Sequence, residues 1–183
     1  MNIRAQRLYT STGVFFLKLF LTNGKMVFMK KAKSKGKNKV VAVSGGFDPI
    51  HIGHVRLMQE AKNLGDRLVV ILNNDHWFRV KGKHVFMTDE ERKEIIEALG
   101  CVDEVVITSH EPETNDISVC RELREIMPDV FANGGDRFAD NIPEFILCRE
   151  LGIEMVFNVG KGGKVRSSSE LLKDYSKKIK HLS

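Results

Sequence analysis

The sequence predicts an α/β protein built on a doubly wound, five-stranded parallel sheet. From residue 39 onward, five short runs of β-branched and apolar residues alternate with stretches whose apolar residues recur at helical spacing. The runs are continuously apolar, which is typical of strands that are buried on both faces of a sheet. Because strands that alternate with helices pair in parallel through crossovers, this pattern favours a single domain with helices on both faces of the sheet.

The strands and helices can be placed individually. The predicted strands are Val40–Val43, Leu68–Leu72, Glu104–Ile107, Asp129–Ala132 and Glu154–Phe157. Helices are expected at about residues 53–64, 88–99, 117–127, 143–151 and 167–175. Their boundaries come from stop and capping residues, namely Gly65, Thr88 with Glu91, Pro128, Gly152, and Ser167 with Glu170. In such Rossmann-like sheets, ligands bind at the carboxyl ends of the strands, so the loops there are where a site is expected.

The positive charge of the chain is concentrated at its beginning. Residues 1–39 contain ten Lys and Arg and no Asp or Glu, whereas residues 40–183 carry a net charge of −5. We therefore expect a basic, disordered extension over residues 1–38 and a mildly acidic domain over residues 39–183, and a nucleic-acid partner is not favoured. A targeting peptide, or a true translation start at Met26 or Met29, are alternative interpretations of the extension.

Other features of composition exclude several classes of protein. No run approaches the ~18–20 apolar residues that span a membrane, so no membrane association is expected. The three cysteines, Cys101, Cys120 and Cys148, match neither a zinc-binding spacing nor a disulfide framework. Buried thiols in the reducing cytoplasm are the simplest interpretation, with organelle targeting by residues 1–38 as the alternative.

The loop after the first predicted strand contains the clearest functional signal. Residues 45–54 read Gly-Gly-Phe-Asp-Pro-Ile-His-Ile-Gly-His, and the two glycines would let backbone approach a ligand closely. His51 and His54 lie three residues apart at the start of a helix and so share one face. A helix N-terminus attracts phosphate, and two imidazoles there can donate hydrogen bonds, with a charge that adjusts near neutral pH. A metal site is the weaker alternative, because no third ligand is evident nearby.

This segment resembles the HxGH signature of the cytidylyltransferase-like nucleotidyltransferase superfamily, nearest to its heptose-1-phosphate adenylyltransferase and glycerol-3-phosphate cytidylyltransferase types. The resemblance implies transfer of AMP or CMP from a nucleoside triphosphate, bound with Mg²⁺, to a small phosphorylated acceptor, with release of pyrophosphate. A sugar phosphate or polyol phosphate is the favoured acceptor. The acceptor phosphate needs no activation, so the protein has to position the reactants and neutralise developing charge. No metal held by protein side chains is expected, and a homodimer is possible.

Later segments of the chain extend the resemblance. Asn73 and Asp75 resemble the Asn-x-Asp loop of the heptose-phosphate branch, and Lys81, Lys83 and Arg92 resemble its lysine loop and Glu-Arg helix. The segment at 133–137 resembles the Gly-Gly-Asp loop of that branch.

Residues 166–169, Arg-Ser-Ser-Ser, resemble the family's Ile-Ser-Thr-Thr or Ile-Ser-Ser-Ser segment. Arg166 departs from the apolar residue usual there, and its role stays open together with those of Lys161 and Lys164.

By resemblance, the site residues fall into three groups. The catalytic group is His51, His54, Lys81 and Ser168. The nucleotide-binding group is Gly45, Gly46, Phe47, Asp48, Gly53, Asp136, Ser167 and Ser169. The group that binds the acceptor substrate is Asn73, Asp75, Lys83 and Arg92. An alternative function is a catalytically idle relative that senses a nucleotide or associates with RNA through the lysine-rich extension, in which case affinity should fall steeply with salt.

Overall fold

The structure is a computed structural model. It describes residues 9–10, 13–14, 18–22, 25–29, 38–135, 143–160 and 167–180. The chain divides into two compact units, Met1–Lys37 and Asn38–Ser183. In the first unit, strand β1 (Tyr9–Thr10) pairs antiparallel with β2 (Gly13–Val14), and β3 (Lys18–Thr22) pairs antiparallel with β4 (Lys25–Met29). The disorder expected for residues 1–38 stays a prediction.

The second unit is built on a parallel sheet. Its strands are β5 (Val40–Gly45), β6 (Arg67–Leu72), β7 (Glu104–Ile107), β8 (Val130–Ala132) and β9 (Glu154–Val156). They lie in the order β7-β6-β5-β8-β9, and every neighbouring pair is parallel. The chain therefore winds outward from β5 in both directions, and the switch point lies at the carboxyl end of β5. The predicted fold class is confirmed.

Six helices occur in the described part of the second unit. They are α1 (Ile52–Lys62), α2 (Asp75–Val80), α3 (Asp89–Glu97), α4 (Cys120–Ile126), α5 (Glu144–Leu151) and α6 (Ser168–Lys180). Helix α2 was not predicted, because six residues are too few to establish a helical period. Its N-cap is Asn74, whose side chain accepts from the Trp77 N–H. No helix in the described residues is long and apolar enough to cross a membrane.

The two faces of the sheet bury separate apolar clusters. On one face, side chains from β5, β6 and β8 pack against α1 and α3, and the fully buried members include Val41, Val43, Leu68, Val70, Met58, Ala61 and Ile96. On the other face the sheet packs against α4 and α5, and the members include Ala42, Ile71, Phe131, Leu123, Leu147 and Cys148. Burial on both faces explains why the strands are apolar without alternation.

Gly45 and Gly46 are required by aromatic packing at the end of β5. A Cβ atom added to Gly45 would lie 2.8 Å from the Phe47 ring, and one added to Gly46 would lie 2.4 Å from the Phe78 ring. Both rings are buried. The sequence suggested that these glycines let a ligand approach the backbone closely. In the structure the space beside each glycine is filled by one of the protein's own aromatic rings, and these rings shape the backbone of the loop before α1.

Replacing Gly46 with alanine tests this packing. We expect Gly46→Ala to lower the free energy of unfolding by about 1–3 kcal/mol, because the added methyl group overlaps the Phe78 ring. Gly100→Ala is the matched control, since a Cβ there meets no atom within 4 Å. Its stability should be unchanged or raised by up to about 1 kcal/mol. Urea unfolding measures both, and equal stability of the two variants would contradict the packing argument.

Candidate active site

The histidine pair lies at the N-terminus of α1 and forms its cap. His51 is the N-cap residue, and its Nδ1 accepts from the Gly53 N–H at 3.1 Å. The Nδ1 of His54 accepts from the His51 N–H at 3.3 Å, and the two rings stack with centroids 3.6 Å apart. A ring nitrogen that accepts carries no proton, so in the neutral rings both Nε2 atoms are the donors. Two N–H groups are therefore held beside a helix end that attracts anions.

His54 stays neutral at physiological pH. Burial, with a further contribution from neighbouring His51, lowers the pKa of His54 from 6.5 to about 3. The expectation that its charge adjusts near neutral pH is therefore wrong for this residue. His54 can offer a hydrogen bond to a phosphate oxygen without bringing a positive charge of its own.

Asp48 connects the loop before α1 to the segment before α3. Its carboxylate is buried and accepts from two backbone groups, the Phe86 N–H at 2.6 Å and the Met87 N–H at 3.0 Å. The sequence suggested that Asp48 contacts the nucleotide. In the structure its oxygens hold together two loops that border the carboxyl edge of the sheet.

Arg92 has a similar connecting role. Its side chain is fully buried, and Nη1 donates to the carbonyls of Gly46 at 2.7 Å and Asn73 at 2.8 Å. Nη2 donates to Asp75 Oδ1 at 2.6 Å, and Nε donates to the Met87 carbonyl at 3.0 Å. The guanidinium thus joins the loops after β5 and β6 to the start of α3. Arg92 and Asp75 were both expected to bind the acceptor. In the structure they form an ion pair with each other.

The predicted lysine loop follows α2. Lys81 places its Nζ 4.2 Å from the centroid of the Trp77 ring, and the Nζ of Lys83 lies 6.0 Å from the same ring. Both distances fall within the range of cation–π attraction. Gly82 between them has a φ of +61°, a conformation that favours glycine. Both lysines are exposed, so the loop presents its cations at the surface beside the sheet edge.

The serines that begin α6 lie against the histidine loop. Ser168 donates its hydroxyl to the carbonyl of Pro49 at 3.0 Å, across 119 residues of sequence. Ser167 forms a capping box with Glu170: its Oγ accepts from the Glu170 N–H, and its own N–H bonds the Glu170 carboxylate. The structure therefore brings together the two helix ends that were predicted to bind phosphate.

The remaining predicted residues are placed as follows. Asn73 is buried at the end of β6, Phe47 is buried with a φ of +53°, and Ser169 is exposed on the first turn of α6. Asp136, Lys161, Lys164 and Arg166 lie outside the described residues. Within the part of the chain that the structure describes, no group of three or more His, Cys, Asp or Glu could hold a metal ion.

The hydrogen bonds that hold α2 in place were not predicted from the sequence. The Asn74 N–H donates to Thr108 Oγ1 at 3.0 Å, and Asn74 Nδ2 donates to the His110 carbonyl at 2.9 Å. The Trp77 indole N–H donates to the Ile117 carbonyl at 3.0 Å. These bonds attach α2 to the loop after β7. Only the capping preference of Asn74 was visible in the sequence, since its partners lie more than 30 residues away.

Removing the Arg92 guanidinium should destabilise the whole site. We expect Arg92→Met to lower the free energy of unfolding by about 3–5 kcal/mol, because three carbonyls and the Asp75 carboxylate lose a fully buried donor. Arg121→Met, at an exposed pair with Glu125, should cost no more than about 1 kcal/mol. Denaturant unfolding distinguishes the two, and a small loss in Arg92→Met would contradict this role.

The lowered pKa of His54 predicts sensitivity to acid. Between pH 6.5 and pH 3 the unfolded chain binds a proton at residue 54 that the folded chain excludes, so stability falls as the pH falls through this window. His54→Asn keeps an acceptor for the His51 N–H but cannot titrate. It should lose less stability than the wild type between pH 7 and pH 5. His84→Asn, at an exposed histidine, should follow the wild type, and urea unfolding at both pH values provides the comparison.

Comparison with known proteins agrees with this geometry. Residues 42–171 match the family described as cytidylyltransferase-like. The chain is 40% identical over 102 residues to an FAD synthase of Ferroglobus placidus, covering 56% of this chain and 62% of that protein. It is 31% identical to an FAD synthase of Picrophilus torridus, covering 72% of this chain and 91% of the relative.

Longer proteins and a solved structure also match. Identity to the bifunctional protein HldE of Streptomyces coelicolor is 39%, covering 73% of this chain but only 27% of that protein. The crystal structure of a lipopolysaccharide core biosynthesis protein from Thermoplasma volcanium has a TM-score of 0.55 and 27% identity, covering 66% of this chain and 96% of that one. The family match spans both ends of the site, from β5 to the first turn of α6. The chain belongs to the cytidylyltransferase-like family.

Proposed function

We propose that this protein is a nucleotidyltransferase that transfers AMP or CMP from a nucleoside triphosphate to a small phosphorylated acceptor and releases pyrophosphate. The observation that carries the proposal is the junction of two helix N-termini, in which Ser168 at the start of α6 is bonded to Pro49 in the loop before α1. Two helix ends that converge can bind a polyphosphate from two sides, because each offers backbone N–H groups and a partial positive charge.

The reaction needs positioning and charge stabilisation rather than a protein nucleophile. An oxygen of the acceptor phosphate attacks the α-phosphorus, a new P–O bond forms there, and the bond to the β-phosphate oxygen breaks as pyrophosphate leaves. The Nε2–H groups of His51 and His54 donate to oxygens on which charge develops. Lys81 supplies a cation from its exposed loop, while Ser168 positions the α6 end through its bond to Pro49.

The nature of the substrates rests on the relatives. The names of these relatives refer to FAD and to lipopolysaccharide core, and on this basis we favour an acceptor that carries hydroxyl groups as well as a phosphate. We expect Mg²⁺ to arrive with the nucleoside triphosphate, because this ion keeps several waters and binds mainly through phosphate oxygens. A cytoplasmic location and a homodimer stay predictions.

The proposal is tested by measuring pyrophosphate release. Full-length protein with Mg²⁺ and each of ATP, CTP, GTP and UTP is assayed against a panel of sugar, polyol and flavin phosphates. We expect turnover with ATP or CTP and a loss of about 10²–10³-fold in His54→Ala, as for other donors to a developing oxyanion. Asn63→Ala, at an exposed position at the end of α1, is the control and should retain full activity.

Two results would contradict the proposal. One is the absence of pyrophosphate release with every nucleotide and acceptor. The other is near-normal turnover in a His54→Ala protein whose thermal unfolding shows that it is folded. Nucleotide binding without turnover would instead favour the alternative of an idle, nucleotide-sensing relative.

A further inference from the structure

Trp77 on α2 contacts the lysine that the proposed reaction uses. The Trp77 side chain is buried, whereas Lys81, four residues later at the C-cap of the helix, is exposed. The Lys81 N–H donates to the Trp77 carbonyl at 3.2 Å, so the two side chains leave the helix on the same side. The Lys81 ammonium lies 4.2 Å from the centroid of the indole ring. The ring therefore holds a cation that is expected to bind phosphate.

The orientation of the indole ring is fixed by its own polar group. The Trp77 Nε1–H donates to the Ile117 carbonyl at 3.0 Å, in the loop after β7. Phe78 packs edge-on against the ring, with the two centroids 5.1 Å apart. A buried indole N–H that loses its acceptor is unfavourable, so the ring keeps this orientation. The face that Lys81 contacts is consequently held in one place.

The loop after β7 also holds the first turn of α2. Thr108 directly follows β7, and its N–H donates to the Leu72 carbonyl at 2.8 Å, which attaches it to the sheet. Its Oγ1 accepts from the Asn74 N–H at 3.0 Å. Asn74 Nδ2 donates to the His110 carbonyl at 2.9 Å, and Asn74 Oδ1 accepts from the Trp77 N–H at 3.1 Å. The N-cap residue thus connects this loop to the backbone of Trp77.

The His110 ring completes this support. The Ser118 carbonyl can only accept, so His110 Nε2, which lies 3.0 Å away, carries the ring proton. In the neutral ring Nδ1 is then an acceptor, and the Thr108 hydroxyl, 2.7 Å away, donates to it. This direction leaves the Thr108 oxygen free to accept from Asn74. One network therefore joins the N-cap of α2 to the segment whose Ile117 carbonyl orients the indole.

An aromatic ring is a suitable partner for a cation that has to bind phosphate. A carboxylate would neutralise the ammonium and compete with phosphate, whereas a ring face attracts the ammonium and leaves its charge intact. The four-carbon stem of Lys81 has many conformations in solvent, and holding one of them reduces the freedom that is lost on binding. A charge-assisted hydrogen bond to phosphate is stronger than an exposed cation–π contact. The ring can thus order the lysine without withholding it.

We propose that Trp77 is a positioning residue for Lys81. Its ring, oriented by the loop after β7, holds the ammonium ready for the phosphates of the nucleotide, and nucleotide binding draws the ammonium from the ring to the phosphates. The inference rests on the proposed function and deepens it, because it identifies what orders the cation. Trp77 contacts no reacting atom and acts through Lys81 alone.

The first test is a double-mutant cycle in full-length protein, with pyrophosphate release as the measurement. We expect Lys81→Met to lower kcat/KM for the nucleotide about 10²-fold. Trp77→Met should lower it about 3–30-fold, which corresponds to about 0.6–2 kcal/mol, the range of a cation–π contact. The double variant should match Lys81→Met within about twofold, because the ring has no effect once its cation is gone. KM for the acceptor should change less than about twofold in Trp77→Met.

Matched variants separate the ring contact from general effects. Trp77→Phe keeps an aromatic face and should lose less than about threefold in kcat/KM for the nucleotide. Tyr175→Met removes an exposed aromatic ring and Lys177→Met removes an exposed ammonium, both on α6, and both should retain full activity. Urea unfolding gives the stability of each variant.

The second test needs no change at Trp77 and no turnover. Trp77 is the single tryptophan of the sequence, so intrinsic fluorescence reports on its ring. ATP and CTP are titrated with Mg²⁺ and without acceptor. We expect a saturable shift in the emission of the wild type, because the charge beside the indole moves to the phosphates. The shift should be lost in Lys81→Met and kept in Lys177→Met.

The possible failures can be told apart. The positioning role is overturned, while the proposed function stands, if the losses in Trp77→Met and Lys81→Met multiply in the double variant. It is also overturned if the emission shift persists in Lys81→Met. A shift that depends on Lys81, without pyrophosphate release for any acceptor, would overturn the proposed function alone. Absence of both the shift and pyrophosphate release would overturn both.

Discussion

The buried guanidinium of Arg92 is the interaction on which the site depends. It bonds the carbonyls of Gly46, Asn73 and Met87 and the carboxylate of Asp75, and so joins the loops after two strands to the start of a helix. A buried cation is tolerated because every one of these partners is an acceptor. The carboxyl edge of the sheet thereby becomes a rigid platform, with Asp48 adding two further bonds to the same segment before α3.

In the proposed reaction, attraction for the phosphates comes from backbone more than from charged side chains. The N-termini of α1 and α6 meet through the bond from Ser168 to Pro49. His54 is neutral, since burial removes the solvent that would stabilise its charged form. In the proposed reaction it therefore acts as an oriented N–H group, held by a cap that also defines the start of α1. Positive side-chain charge would be supplied separately, by the exposed lysines beside Trp77.

Several side chains that resemble ligand-binding residues in the sequence have protein partners in the structure. Asp48, Asp75 and Arg92 lie in segments that resemble motifs of the family, and the sequence cannot distinguish a carboxylate that binds a ligand from one that binds a backbone N–H. Conversely, the sequence does not show that Asn73 Oδ1 has no hydrogen-bond partner among the described residues, because that depends on which elements pack nearby.

The sequence by itself determined the fold class, the five strands of the sheet and the two helix ends that the proposed reaction uses. These features follow from local patterns: continuous apolar runs, capping residues and the spacing of two histidines. Only the tertiary structure decided which polar residues face one another, that Gly45 and Gly46 accommodate aromatic rings, and that His54 is uncharged. Partners that lie tens of residues apart are brought together only by the winding of the sheet, and pKa values depend on the burial that this winding produces.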